Sequence, residues 1–227
     1  MRISSLQNAT VKNIIKLSKA RERRAQNLFI IEGARELSLA LASNYSIQSV
    51  YVCNDIFANT LYPDVLTSVA EDKITEITGQ VFEKLAYRKS SDGLIALAQP
   101  KKHTLESIQL SDNPFIIILE SVEKPGNLGA ILRTADAAAV DAVIVCDPQT
   151  DIYNPNVVRS SVGGVFTVQT AVCSSEEAIA WLNKHAIKSY AAELEAAMWY
   201  QNINYSMPSA IVMGTEADGL TENWLNS

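Results

Sequence analysis

Glu123-Lys124-Pro125-Gly126-Asn127-Leu128-Gly129-Ala130-Ile131-Leu132-Arg133-Thr134-Ala135 follows closely on the apolar run Phe115 to Leu119. A short apolar run closed by a polar, glycine-bearing turn reads as a buried strand, and the small and apolar residues after it read as a helix. A second such turn, Met213-Gly214-Thr215-Glu216-Ala217-Asp218-Gly219-Leu220, follows another apolar run over 209–213. Two turns of this kind in an alternating strand–helix chain predict a ligand site at the carboxyl ends of a parallel sheet.

Working outward, the alternation predicts strands at 115–120, 142–146, 165–168, 187–192 and 209–213, and helices at 128–139, 154–161, 174–185 and from 221 onward. Before it, Pro100 to Pro114 is polar with a proline at each end, and reads as a linker. The residues ahead of the linker read as a smaller α/β/α domain. Its helix at 8–24 has an apolar stripe of Val11, Ile14, Ile15 and Leu17, and Asn8 or Thr10 serves as cap. Strands follow at 28–31, 47–52, 74–77 and 94–98, with helices at 34–42, 64–71 and 79–87. The expected division is 1–100, a linker over 101–113, and 114–227.

The 227 residues carry a net charge of −6. The charge is unevenly spread. Residues 1–107 hold 14 basic and 11 acidic side chains, whereas residues 108–227 hold 5 and 14. Residues 1–24 alone have seven basic side chains to one acidic. A one-signed basic run in an acidic chain points to phosphate contact, and a solvated helix face is the plain alternative. The run is Lys12, Lys16, Lys19, Arg21, Arg23 and Arg24, joined by Arg35, Arg88 and Lys89. Cys53, Cys146 and Cys173 are far apart and read as reduced core residues; with only His103 and His185, no zinc spacing exists and no metal is expected. No signal-peptide core and no apolar run of the ~20 residues needed to span a membrane is present, so a cytoplasmic protein is expected.

In the first turn Gly126 and Gly129 permit close approach of a ligand, and Asn127 offers an amide that bridges backbone and substrate. Arg133 is the sole cation between Lys124 and Arg159. A surface arginine near a helix start accounts for it equally well. In the second turn Gly214 clears space at the sheet edge and Glu216 brings a carboxylate. Neither turn is a G-x-G-x-x-G or a G-x-x-x-x-G-K-[ST] loop, so nicotinamide and nucleoside-triphosphate chemistry are poorly supported. A third stretch, Asn154-Pro155-Asn156-Val157-Val158-Arg159-Ser160-Ser161, starts a helix with Asn154 as cap and Pro155 at its first position.

Together these segments resemble the SpoU family of S-adenosylmethionine-dependent RNA ribose methyltransferases, within the SPOUT superfamily. The resemblance rests on Asn127, Gly129 and Arg133-Thr134-Ala135, on Gly214, Glu216 and Gly219, and on Val158-Arg159-Ser160-Ser161. Phe29-Ile30-Ile31-Glu32-Gly33 with Arg35, and Gly93, are similar to the family's substrate-binding domain, which is like ribosomal protein L30e. The resemblance implies an N-terminal L30e-like domain and a C-terminal knotted parallel-sheet methyltransferase domain. It also implies a homodimer and methyl transfer from S-adenosylmethionine to a ribose 2′-oxygen of structured RNA, ribosomal in preference to transfer RNA. Asn127, Arg133 and Glu216 are then the catalytic set, and Leu194, Gly214, Glu216 and Gly219 the cofactor set. Lys12, Lys16, Arg23, Arg24, Arg35, Arg88, Lys89 and Arg159 become the RNA contacts. A third family signature, an Ile-Pro-Met…Ser-Leu-Asn-Val-Ser type of stretch, does not follow the second here. A form ending at Ser227 is therefore expected to lack part of the cofactor pocket, to bind cofactor weakly or not at all, and to be inactive. The rival reading is a non-catalytic RNA-binding protein that uses its methyltransferase-like half for dimerisation.

Overall fold

A computed structural model describes residues 2–87, 92–194 and 198–226. Up to residue 101 the elements are β1 (Arg2–Ile3), α1 (Ala9–Lys16), α2 (Ala20–Gln26), β2 (Phe29–Glu32), α3 (Ala34–Ala42), β3 (Ile47–Val52), α4 (Asn54–Phe57), β4 (Ile74–Ile77), α5 (Gly79–Leu85) and β5 (Leu94–Ala98). Then come β6 (Phe115–Glu120), α6 (Pro125–Ala137), β7 (Ala142–Cys146), α7 (Pro155–Ser160), α8 (Gly164–Thr167), β8 (Thr170–Cys173), α9 (Ser175–Lys184), β9 (Lys188–Ala191), β10 (Ser209–Met213) and α10 (Glu222–Leu225). They gather into two compact units. The first is Met1–Lys101 with Ile152–Thr167, and the second is Lys102–Asp151 with Val168–Ser227.

The first unit holds a mixed sheet in the order β1-β4-β3-β5-β2, with β5 antiparallel to both neighbours. Val11, Ile14 and Leu17 of the first helical segment pack with Ile77, Phe82, Ile95 and Leu97 on one face. An aromatic cluster of Phe29, Tyr45, Tyr153 and Phe166 forms elsewhere in the unit, with Phe29 and Tyr153 ring centres 4.2 Å apart. Tyr153 and Phe166 pack there together with buried Val157, Val158 and Val165, so residues 152–167 belong to this unit. The Tyr45 hydroxyl lies 3.1 Å from that of Tyr153, and burial raises the Tyr45 pKa.

The expected single helix over 8–24 is two helices. Asn8 caps α1, accepting from the Thr10 amide at 2.8 Å. The break between α1 and α2 is stabilised by Arg23, which is buried. Its Nη1 donates to the carbonyls of Leu17 at 2.9 Å and Ser18 at 2.8 Å, satisfying the end of the first helical segment. Truncating it strips a charged donor from buried carbonyls, which typically costs about 2 kcal/mol. Arg23→Met is therefore expected to lower the melting temperature of the protein, and an unchanged melting curve would remove Arg23 from the account of that corner.

The second unit is a parallel sheet in the order β8-β7-β6-β10-β9. Its three central strands, β7, β6 and β10, are near-continuous apolar runs, as strands covered on both faces require. Ile116, Ile118, Ile144, Ala210 and Val212 form its core with Ala178, Leu182 and Trp224. The strand expected at 165–168 is instead the short helix α8, and the strand β8 begins at Thr170. Val165 and Phe166 are a buried apolar pair, and periodicity over so few residues does not separate helix from strand.

Candidate functional site

β6 is the first strand of the second unit. The chain leaves it toward β7 and β8 on one side and later returns as β9 and β10 on the other. The point where strand order reverses lies between β6 and β10, which pair in parallel from Ser209↔Phe115 to Met213↔Leu119. Ligands of open α/β sheets bind at this crevice beyond the carboxyl ends of the strands. A groove of about 390 Å³ opens there. Leu119, Val122, Ile131 and Met213 give it apolar walls; Lys124, Asn127, Thr215 and Glu216 give it polar edges.

The helix α6 starts at Pro125, three residues earlier than the sequence predicts, so Asn127 sits in its first turn. Pro125 tolerates this position because it has no N–H to lose. The second turn folds onto itself. The Thr215 amide donates to the Gly219 carbonyl at 2.9 Å, the Gly219 amide to the Thr215 carbonyl at 3.3 Å, and the Asp218 amide to Thr215 Oγ1 at 2.9 Å. Glu216, at the tip, accepts from Lys124 Nζ at 2.5 Å and from the Asn127 side chain. The two turns thus meet through these three residues.

The hydrogen bond and charge of Lys124 hold the Glu216 pKa below its usual value, and Glu216 in turn raises that of Lys124. The pair is intact above the depressed carboxyl value and below the elevated ammonium value. It dissolves as pH falls through the first or rises through the second. Both side chains are largely exposed, so the contact contributes little to stability and mainly sets where Glu216 points.

Of the residues predicted from sequence, Asn127, Gly214 and Glu216 are brought together in the groove. Gly219 lies beside it in a second cavity, with Glu120, Thr215 and Thr221. Arg133 is exposed on α6, on a different face from Asn127 and Ile131, and lines neither cavity. Leu194 is fully exposed and also lines neither. Lys12, Lys16, Lys19, Arg21, Arg24 and Arg35 are exposed. Arg23 departs from the expected RNA contacts, because its guanidinium is turned inward. Arg159 is half-buried, donates to Asn156 Oδ1 at 2.8 Å and stacks over the Tyr87 ring at 4.9 Å. Arg88 and Lys89 lie outside the described residues. Lys124 had no role in the sequence reading; its place beside Pro125 was visible, but not its partner across the groove. Among the described residues no cluster of three or more His, Cys, Asp or Glu is arranged to hold a metal ion, and no helix is long and apolar enough to cross a membrane.

A parallel sheet with a groove at its switch point defines an α/β ligand-binding or cofactor-dependent protein. Comparison with known proteins narrows that class: residues 114–227 match the SpoU rRNA Methylase family, and residues 8–96 match the MRM3-like substrate binding domain. The chain belongs to the SpoU rRNA Methylase family. It is 27% identical to the 23S rRNA (guanosine(2553)-2'-O)-methyltransferase RlmP of Bacillus subtilis over 96% of this chain and 84% of that protein. A solved RNA 2'-O ribose methyltransferase is 36% identical, with a TM-score of 0.84 over 100% of this chain and 86% of that one. The AdoMet-bound rRNA methyltransferase of Sinorhizobium meliloti is 26% identical, with a TM-score of 0.89 over 100% and 85% of the two chains.

Proposed function

We propose that this protein transfers a methyl group from S-adenosylmethionine to a ribose 2′-hydroxyl of ribosomal RNA. The observation that carries the reading is the meeting of Asn127, Gly214 and Glu216 at the switch point of the parallel sheet. The groove suits the cofactor. Its walls are apolar on the β6 and β10 sides, Gly214 leaves room at the edge, and Glu123 and Glu216 set against Lys124 leave one net negative charge to complement a cationic ligand. When bound, the cofactor supplies an electrophilic methyl carbon. The residues of the chain orient the ribose oxygen for in-line attack. Arg133 meets the ribose or its phosphate. A guanidinium is a poor proton acceptor, so its role is electrostatic and orienting. Asn127 and Glu216 keep the two turns in register.

Residues 1–100 choose the RNA, and 114–227 carry the chemistry. The resemblance to the family adds a homodimer and a knotted passage of chain. With ribosomal RNA as substrate, the working compartment is the cytoplasm. The test is methyl transfer from labelled cofactor to 23S rRNA, followed by nuclease digestion and mass spectrometry for 2′-O-methylated nucleosides. RNA binding without any methylated nucleoside would favour the non-catalytic reading.

Lys12, Lys16 and Lys19 are three of the exposed cations of the N-terminal helices, beside Arg21 and Arg24, and serve as RNA contacts that stand free of the core. Deleting this segment would also remove Val11, Ile14 and Leu17 from the core, so charge substitution is the sound experiment. Replacing all three lysines with glutamine should flatten the dependence of log K on log salt by about 0.9 for each duplex phosphate no longer neutralised. An unchanged slope would clear this face of RNA contact.

A further inference from the structure

We propose that Glu120 is a positioning residue that anchors the Gly214–Thr221 turn and so fixes Glu216 against Lys124 and Asn127. The inference deepens the functional reading above and rests on it for its effect on methyl transfer. Glu120 ends β6 and is buried, 3% exposed. A carboxyl group in that position is costly unless donors meet it. The donors come chiefly from the far end of the turn. The Thr221 amide donates to Glu120 Oε2 at 2.8 Å, and the Thr221 hydroxyl to Oε1 at 2.7 Å. The Ser175 hydroxyl lies 3.1 Å from Oε1 and 2.8 Å from Asp147 Oδ2, and its single proton serves one or the other. Trp224 Nε1 donates to the same Ser175 oxygen at 3.1 Å.

The turn leaves β10 at Gly214, one residue beyond the Met213↔Leu119 pair and therefore level with Glu120. It returns to Glu120 at Thr221. Between these points Thr215 to Gly219 closes on itself, so it moves as a unit. One end of that unit is held by the sheet. The other is held by the Glu120 carboxyl. Without Glu120 the far end loses its polar anchor and is held only by the burial of Leu220 and Trp224, so Glu216 at the tip is held less firmly.

The geometry also distinguishes anchoring from a role for the charge itself. In Glu120→Gln, an amide oxygen in the Oε2 place still accepts from the Thr221 amide. The amide nitrogen in the Oε1 place donates to the Thr221 and Ser175 hydroxyls, and Ser175 turns its proton to Asp147. The Thr221 hydroxyl, which is exposed, turns its own proton to solvent, and the other partners stay satisfied. In Glu120→Met, the Thr221 amide and hydroxyl lose their acceptor.

Amide hydrogen exchange, cofactor titration and RNA binding test this on the full chain. For Glu120→Met, exchange at Thr221 and across 215–219 is expected to rise at least about tenfold, with cofactor affinity about tenfold weaker and RNA affinity within about twofold. Glu120→Gln is expected to stay within about threefold of the parent protein in all three. Thr221→Val, which deletes only the hydroxyl bond, gives an intermediate result and keeps the test open if the methionine variant does not fold. Unchanged exchange at Thr221 in the methionine variant would overturn the anchor. So would a glutamine variant as weak in cofactor binding as the methionine one, since charge would then be acting directly. If the parent protein binds no cofactor, the affinity comparison drops out and the exchange data decide the anchor alone, independently of the functional reading.

Discussion

Arg133→Ala is expected to lower methyl transfer by at least about a hundredfold, the typical cost of deleting one preorganised electrostatic donor. Cofactor affinity should stay near that of the parent protein, because Arg133 does not line the groove. Stability should stay there too. The side chain is exposed on α6, so its removal opens no cavity and orphans no buried group. A residue that acts only in the transition state loses rate without losing ground-state binding. Arg133→Lys should also be poor, since the planar fork that grips a ribose or phosphate is gone. Single-turnover methylation of RNA with saturating cofactor makes the measurement, and parent-like turnover in the alanine variant would refute the assignment.

The second large effect is expected at Gly214. A Cβ there would lie 2.0 Å from the Gly219 carbonyl oxygen and 2.5 Å from the Leu220 nitrogen. Both are backbone atoms, so no rotamer change relieves the clash. Gly214→Ala must open the Thr215–Gly219 closure, at a cost of about 1–3 kcal/mol for overpacking of this kind. Gly219 is no easier to replace, because its φ of +69° is strained for any other residue. The alanine variant should therefore lose stability and cofactor affinity together, in contrast to Arg133→Ala. Calorimetric titration alongside thermal melting reads both. A variant that keeps the parent's affinity would show that the groove does not depend on this closure.

The parallel sheet of the second unit was legible because its central strands are apolar runs between turn residues, as in Phe115 to Leu119. The two signature turns were legible from their wording, and the structure joins them through Asn127 and Glu216. What escaped was tertiary. The lone Glu at the end of an apolar strand gave no hint that Thr221, a hundred residues on, would satisfy it. Arg23 looked like one more cation on a basic helix, because sequence reports charge and not the direction a side chain takes. The break at 17–19 was hidden for the same reason, since Arg23 is what stabilises it. Val165 and Phe166 were too few to betray a helix.

Neighbouring strands β7 and β8 are joined by an excursion whose middle, Ile152–Thr167, belongs to the other unit. The chain therefore passes from one unit to the other three times, and neither unit is a continuous length of sequence. Modularity is lost as a result. A graft that exchanges residues 1–101 for a relative's leaves Tyr153 and Phe166 facing a foreign counterpart of Phe29 and Tyr45. If the first unit chooses the RNA, as proposed above, exchanging specificity between such proteins takes two coordinated segments, one of them lying inside the span of the parallel sheet.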